Sequence, residues 1–268
     1  MTYFFGRCKD TNLVNLLSMI GVEHLYKNFK QPNGLLKKAF RSTALDDISF
    51  SLEEGAVLMV LGTKASGKST LLRILAAMQF PDKGTVEIMG LDLNKQAVEI
   101  RKKIGYFSHE QSYFDNLTIK EQLFYFANLK GLKSSEIAVK IDSLMQKWDL
   151  KPNKKTSLLS IEEKLRLGIA QTMLNDPKLI ILDEPSFGLD IFGAKPILDL
   201  VAEAKLSGTT VVYAGSNLSK TEFFGDKIIV LDRGRMIYTD TMTEFKNKYG
   251  NSPAEGYLQI LNENLKTV

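Results

Sequence analysis

Apolar residues along this chain fall into two spacings. Short, nearly continuous β-type runs occupy positions 48–52, 56–61, 84–89, 103–107, 179–182, 209–214 and 227–231. Runs of this length bounded by turn-forming residues predict strands. From Met19 onward Ile20, Val22 and His24 alternate with other positions until Leu25 breaks the pattern. Between Ser112 and Leu174 the spacing becomes helical, and 117–129 and 134–150 read as two amphipathic helices. A strand-rich half, a helical insertion and a return to strands together predict an α/β domain. No internal repeat, heptad run or low-complexity segment interrupts this layout.

Composition narrows the class. The 268 residues are 44% hydrophobic and 25% charged, which excludes disorder, collagen and a disulfide scaffold. Lys plus Arg number 35 against 31 for Asp plus Glu, so the net charge of +4 does not indicate nucleic acid as a partner. The one cysteine, Cys8, excludes an internal disulfide and fits a reducing compartment. The longest wholly apolar run, 56–61, is far short of the ~20 residues that cross a bilayer. Work at a membrane would need another chain to supply the crossing. Arg7, Lys9 and Asp10 interrupt the first apolar stretch, so residues 1–18 are read as an N-terminal extension rather than a signal peptide. Residues 19–245 are expected to form the domain, with helical residues at about 112–174, and 246–268 a C-terminal tail.

Two motifs carry chemistry. Gly62-Thr63-Lys64-Ala65-Ser66-Gly67-Lys68-Ser69-Thr70 fits G-x-x-x-x-G-K-[ST] between an apolar strand and a helix expected over 69–78. The glycines let backbone N–H groups converge on phosphate oxygens, Lys68 adds charge for the β and γ phosphates, and Ser69 can ligate Mg²⁺. Further on, the apolar run Leu179-Ile180-Ile181-Leu182 ends in Asp183-Glu184. Carboxylates at the C-terminal end of a buried parallel strand sit where α/β sheets bind ligands. Asp183 is expected at the metal, and Glu184 beside it as the catalytic residue that polarises water.

With both motifs in order, the chain resembles the ATP-binding-cassette (ABC) ATPases over about residues 20–250. Asp183-Glu184-Pro185-Ser186 with Gly188-Leu189-Asp190 is similar to the family's magnesium site and D-loop. Ala44-Leu45-Asp46-Asp47-Ile48-Ser49-Phe50 resembles the segment before the phosphate loop, and Lys103-Ile104-Gly105-Tyr106-Phe107 the approach to the Q-loop. The resemblance implies a P-loop NTPase fold with a RecA-like core, an antiparallel β subdomain and a helical insertion. It also implies ATP and Mg²⁺ as cofactors, Phe29 as the adenine-stacking aromatic, and a second ABC ATPase chain met head to tail. A membrane-spanning transporter subunit is the other implied partner, reached from the cytoplasmic face of the membrane. Phe245-Lys246-Asn247-Lys248-Tyr249-Gly250 resembles the ending of two-component exporters of the sodium-extrusion and antibiotic-export groups. The alternative is a soluble, nucleotide-gated scaffold or regulator without transport.

Three positions depart from the family pattern. The signature, normally LSGGQ, reads Leu159-Ser160-Ile161-Glu162-Glu163; the Q-loop position is His109; the switch-histidine position is Ser216. Ile and Glu in place of two glycines keep the backbone from a phosphate. Ser160-Ile161-Glu162-Glu163 also fits an S-x-x-E capping box that opens a helix with apolar residues at Ile161, Leu165, Ile169 and Met173. Bent back toward Ser160, Glu163 would bring a carboxylate within ~5–6 Å of a docking phosphate, a repulsion of about 3 kcal/mol at an effective dielectric near 20. Ser216 cannot supply a cation, and His109 is a poor ligand for hard Mg²⁺. Firm Mg-ATP binding and slow turnover are therefore expected. Between the first strands, Lys30, Lys37, Lys38 and Arg41 mix with Leu35, Leu36 and Phe40 in a basic segment read as a solvated loop, and Phe124, Tyr125 and Phe126 lie on the helix implied to meet the membrane partner.

Overall fold

The computed structural model describes residues 18–31, 40–111, 113–190, 192–215 and 225–265. The expected N-terminal extension, most of the basic segment after residue 31, and Ser216 lie outside the described residues.

Two sheets organise the chain. Strands β1 (Ser18–Gln31), β2 (Phe40–Glu53), β4 (Lys83–Ile88) and β5 (Leu91–Asp92) form an antiparallel sheet in the order β2-β1-β4-β5. The second sheet has the order β10-β9-β3-β8-β7-β6, built from β3 (Val57–Leu61), β6 (Ile104–Ser108), β7 (Leu179–Asp183), β8 (Thr210–Gly215), β9 (Lys227–Asp232) and β10 (Arg235–Thr241). Its pairs are parallel except β10 with β9. Every residue of β3 and β7 is buried, which is why β3 and residues 179–182 of β7 read as unbroken apolar runs: a parallel sheet is covered on both faces.

Helices α1 (Lys68–Leu75), α2 (Leu93–Lys103), α3 (Ile119–Leu129), α4 (Ser134–Lys147), α5 (Ile161–Thr172), α6 (Lys195–Leu206), α7 (Met242–Tyr249) and α8 (Pro253–Leu265), with a 3-10 turn at Thr156–Leu158, complete the described elements. Lys103, expected to open a strand, instead closes α2. Thr118 and Glu121 form a full capping box at the start of α3. The helical arm is tied at its neck, where Ile119 N donates to Lys154 O at 3.0 Å and Thr156 N to Leu117 O at 3.0 Å.

Three apolar clusters hold these layers together. Leu25, Leu45 and Ile48 meet Leu71, Leu72 and Val60 between the two sheets and α1. The arm packs Ile141, Trp148 and Leu165 together with Phe107, Ile180 and Val211 of the parallel sheet. In the third, Met59, Leu61, Ile228 and Val230 meet Phe245, Tyr249, Tyr257 and Ile260. Of the stretch read from the sequence as a tail, 246–268, the described residues 246–265 are therefore folded. Helix α7 runs across that boundary, and Phe245, Tyr257 and Ile260 are buried. The fold brings these residues back onto β3, a contact that local spacing does not announce.

Candidate functional site

The phosphate loop leaves the end of β3 and feeds α1. Gly67 has φ +105°, and a Cβ there would stand 2.5 Å from Ala44 O, so only glycine fits. Ala65 accepts the left-handed region at φ +65° despite its methyl. The loop is pinned from outside: Gly234 N donates to Ser66 O at 3.0 Å, and Asp46 N to Gly234 O at 2.8 Å. Thr63 and Lys64 are exposed, Gly62 and Ser66 are buried, and Ser69 and Thr70 are half-buried.

Lys68 is 4% exposed and folds back on the loop. Its ammonium donates to Gly62 O at 2.8 Å and Thr63 O at 3.0 Å, and lies 3.3 Å from Glu184 Oε1. Ser69 Oγ donates to Asp183 Oδ1 at 3.0 Å, and Tyr106 OH to Asp183 Oδ2 at 3.2 Å. Burial pushes the Asp183 carboxyl up, while the Ser69 and Tyr106 hydroxyls act against that rise. Burial also pushes the Tyr106 phenol up to about 12, with the Asp183 charge adding to it. Glu184 sits just past β7 at φ +50°, fixed by its N–H to Ala214 O at 2.9 Å. Two motifs 114 positions apart thus meet as one site at the C-terminal ends of parallel strands.

The donor set suits a phosphate with a hard divalent cation. Ser66 Oγ is buried without a hydrogen-bond partner among the described residues, a cost that a polar ligand in the loop would relieve. Ser69 and Asp183 offer oxygen only, and Mg²⁺ typically takes one or two protein oxygens plus phosphate and water.

The remaining candidates are spread more widely. Phe29 lies on β1 opposite Ser42, 38% exposed, with the Lys27 ammonium 5.7 Å from its ring centroid. The His109 ring rests against Phe187 at 4.6 Å, and its backbone N–H reaches Asp183 O at 3.2 Å. Asp190 accepts from Gly193 N at 2.8 Å, fixing its own turn.

At the start of α5, Ser160 N donates to Glu163 Oε2 at 2.9 Å and Glu163 N to Ser160 Oγ at 3.2 Å, the reciprocal cap that the spacing suggests. The carboxylate is not bare, however. Lys154 Nζ donates to both Glu163 oxygens at 2.7 Å, and this ammonium is the largest cause holding the Glu163 carboxyl below its usual range. The repulsion expected from an isolated Glu163 is therefore corrected downward, because the pair is close to neutral. Ile161 does not join the apolar stripe; it is 61% exposed, whereas Leu165 and Ile169 are buried.

The ABC transporter family profile matches residues 45–187. The chain belongs to that family. The ABC transporter ATP-binding protein NatA of Bacillus subtilis is 30% identical over 198 residues, covering 73% of this chain and 80% of NatA. The linearmycin resistance ATP-binding protein LnrL of the same organism is 28% identical over 218 residues, 80% of this chain and 70% of LnrL. ATP-binding cassette sub-family A member 17 of Mus musculus is 31% identical over 91% of this chain, which spans just 14% of that protein. Among solved structures, the dimeric structure of MJ0796, a bacterial ABC transporter cassette, superposes with a TM-score of 0.74 at 25% identity. That match covers 84% of this chain and 99% of MJ0796. This ABC ATPase fold has the expected antiparallel β subdomain and helical insertion. Among the described residues, no helix is long and apolar enough to cross a membrane.

Three residues of the site escaped the sequence reading. Tyr106 carries a faint signal, a phenol in the middle of β6 whose register sets it beside Ile181, two residues before Asp183. Lys154 is one of several lysines in a loop, and Tyr257 lies in the segment read as a tail.

Proposed function

We propose that this ABC chain binds Mg-ATP and hydrolyses it slowly as the nucleotide-binding subunit of a multi-chain exporter. It works at the cytoplasmic face of a membrane, beside a membrane-spanning subunit and a second cassette chain. The observation that carries this reading is the convergence of Lys68, Ser69, Asp183 and Glu184. Loop N–H groups and the N-terminus of α1 receive the phosphates, and Lys68 keeps its loop carbonyls while it turns from Glu184 to phosphate oxygens. Ser69 and Asp183 would hold Mg²⁺, which supplies charge neutralisation at the β and γ phosphates. Glu184, released from Lys68 as that ammonium turns to phosphate, orients a water and takes its proton. Phe29 would stack on adenine.

Slow turnover follows from side-chain bulk more than from charge. Ile161 and Glu162 project where two glycines would leave open backbone, and Lys154 offsets Glu163. Support for a membrane partner comes from a groove of about 530 Å³ between the sheet and the helical arm, lined by Arg73, Tyr106, Phe114, Phe126, Lys130 and Gln171. Exposed Phe124 and Tyr125 lie on the same arm helix. The exporter assignment leans on the likeness to NatA and LnrL.

Mg-ATP titration calorimetry and phosphate release on the purified chain test the first half. Expected are binding that Lys68→Ala weakens sharply without abolishing it and turnover that Glu184→Gln abolishes; absence of Mg-ATP heat from the unaltered chain overturns the proposal. Co-purification with a multi-span protein from detergent-solubilised membranes tests the second half. Its absence, with nucleotide binding intact, favours a soluble nucleotide-gated regulator.

A further inference from the structure

One hydrogen bond of the phosphate loop reaches 194 positions along the chain. The Thr63 backbone N–H donates to the Tyr257 hydroxyl on α8 at 3.2 Å. The carbonyl of that same peptide group, Gly62 O, accepts from Lys68 Nζ at 2.8 Å. A single planar unit is thus held at both edges, by α8 on one side and by the phosphate-binding lysine on the other. A carbonyl polarised by an ammonium makes its own N–H a better donor, so the two contacts reinforce each other.

The rest of α8 is arranged to keep Tyr257 in place. Tyr257 is 2% exposed and clusters with Met59 and Leu61 of β3 and Phe245 of α7. The preceding Gly256 lets α8 press against α7: a Cβ there would stand 2.5 Å from Phe245 Cζ and 3.0 Å from Tyr249 Cβ. Farther along α8, Glu263 Oε2 accepts from Tyr249 OH at 2.9 Å. Thr63 itself is exposed, so without Tyr257 its N–H would turn to water and the peptide could rotate.

We infer that Tyr257 is a positioning residue of the nucleotide site: through the Gly62–Thr63 peptide it fixes where Lys68 sits, so docking of α8 sets nucleotide affinity. The inference rests on the nucleotide-binding reading above. A loop ordered before the ligand arrives loses less freedom on binding, and this is the source of the gain.

Tyr257→Phe removes the hydroxyl and keeps the ring. In the full chain it is expected to raise the Mg-ATP Kd about three- to tenfold, the range of one lost hydrogen bond. It should also speed amide exchange at Thr63 without nucleotide and lower the unfolding midpoint by no more than that one bond. Because the effect passes through Lys68, the same substitution in a Lys68→Ala background should leave residual nucleotide affinity unaltered. Ile260→Ala, which loosens α8 packing without touching the loop bond, should lower the midpoint with less effect on Kd. An unaltered Kd for Tyr257→Phe overturns the inference, as does an equal loss in both backgrounds or equal behaviour of the two α8 variants. Failure of the underlying reading would show separately, as an unaltered chain that binds no Mg-ATP while Thr63 exchange still responds to Tyr257→Phe.

Discussion

Replacing Lys154 with alanine would strip the ammonium that both Glu163 oxygens hold at 2.7 Å. The cap itself would survive, because Ser160 N still donates to Glu163 Oε2. What changes is the charge presented at the head of α5. An uncompensated carboxylate ~5–6 Å from a partner-bound phosphate repels it by about 3 kcal/mol at an effective dielectric near 20. The Glu163 side chain is 20% exposed, so water and salt reduce this to about 1.5 kcal/mol, roughly tenfold in an equilibrium constant. The assay is sedimentation equilibrium with Mg-ATP in a Glu184→Gln background, where hydrolysis is blocked. Lys154→Ala is expected to weaken the nucleotide-dependent dimer about tenfold, with the loss shrinking as salt rises. Ile161→Gly with Glu162→Gly is expected to tighten it. A dimer constant unchanged by Lys154→Ala at low salt would refute the charge-pair reasoning.

Other outcomes follow from the same geometry. Asp183 has its carboxyl pushed up by burial, so nucleotide-free stability falls as pH rises above the ordinary aspartate value through the raised one. Asp183→Asn should therefore raise the neutral-pH melting temperature while cutting Mg-dependent nucleotide affinity at least about tenfold; differential scanning calorimetry and titration at matched pH check both. Glu163 is shifted the opposite way, chiefly by Lys154. Its contribution is complete above the ordinary glutamate value of 4.5 and is lost as pH falls through the depressed one, so Glu163→Gln should flatten that part of an acid-unfolding curve. Ala65 holds φ +65°, and Ala65→Gly should relieve about 1 kcal/mol of left-handed strain, read as a higher urea midpoint at unchanged slope.

Where burial was one-dimensional, the pattern of residues was readable. Strands β3 and β7 are covered on both faces, so β3 and the first four residues of β7 stand out as apolar runs, and the phosphate loop followed from its fixed spacing. The partly exposed strands were readable only in part. β10 buries no residue fully and shows no alternation, and β1 alternates from Met19 to His24 but continues through Tyr26, Lys27 and Asn28 with irregular register against β2. The Ser160–Glu163 cap was legible because both partners lie within one turn. Its neutralising Lys154 was not, since that pairing depends on how the loop before α5 folds. Tyr106, Tyr257 and the burial of Phe245 depend on contacts between distant segments, which local periodicity does not encode.

The neck of the helical arm has a consequence of its own. Leu117–Lys120 and Pro152–Thr156 are laced by backbone bonds, including a bridge between Thr118 and Lys155, so the chain leaves the core and returns through one narrow gate. Growth or trimming at the far tip, where Gly131 turns α3 into α4 with open space around it, need not disturb the gate. That end of the molecule is free to vary in length and sequence, while the end that carries Lys68 and Asp183 stays fixed.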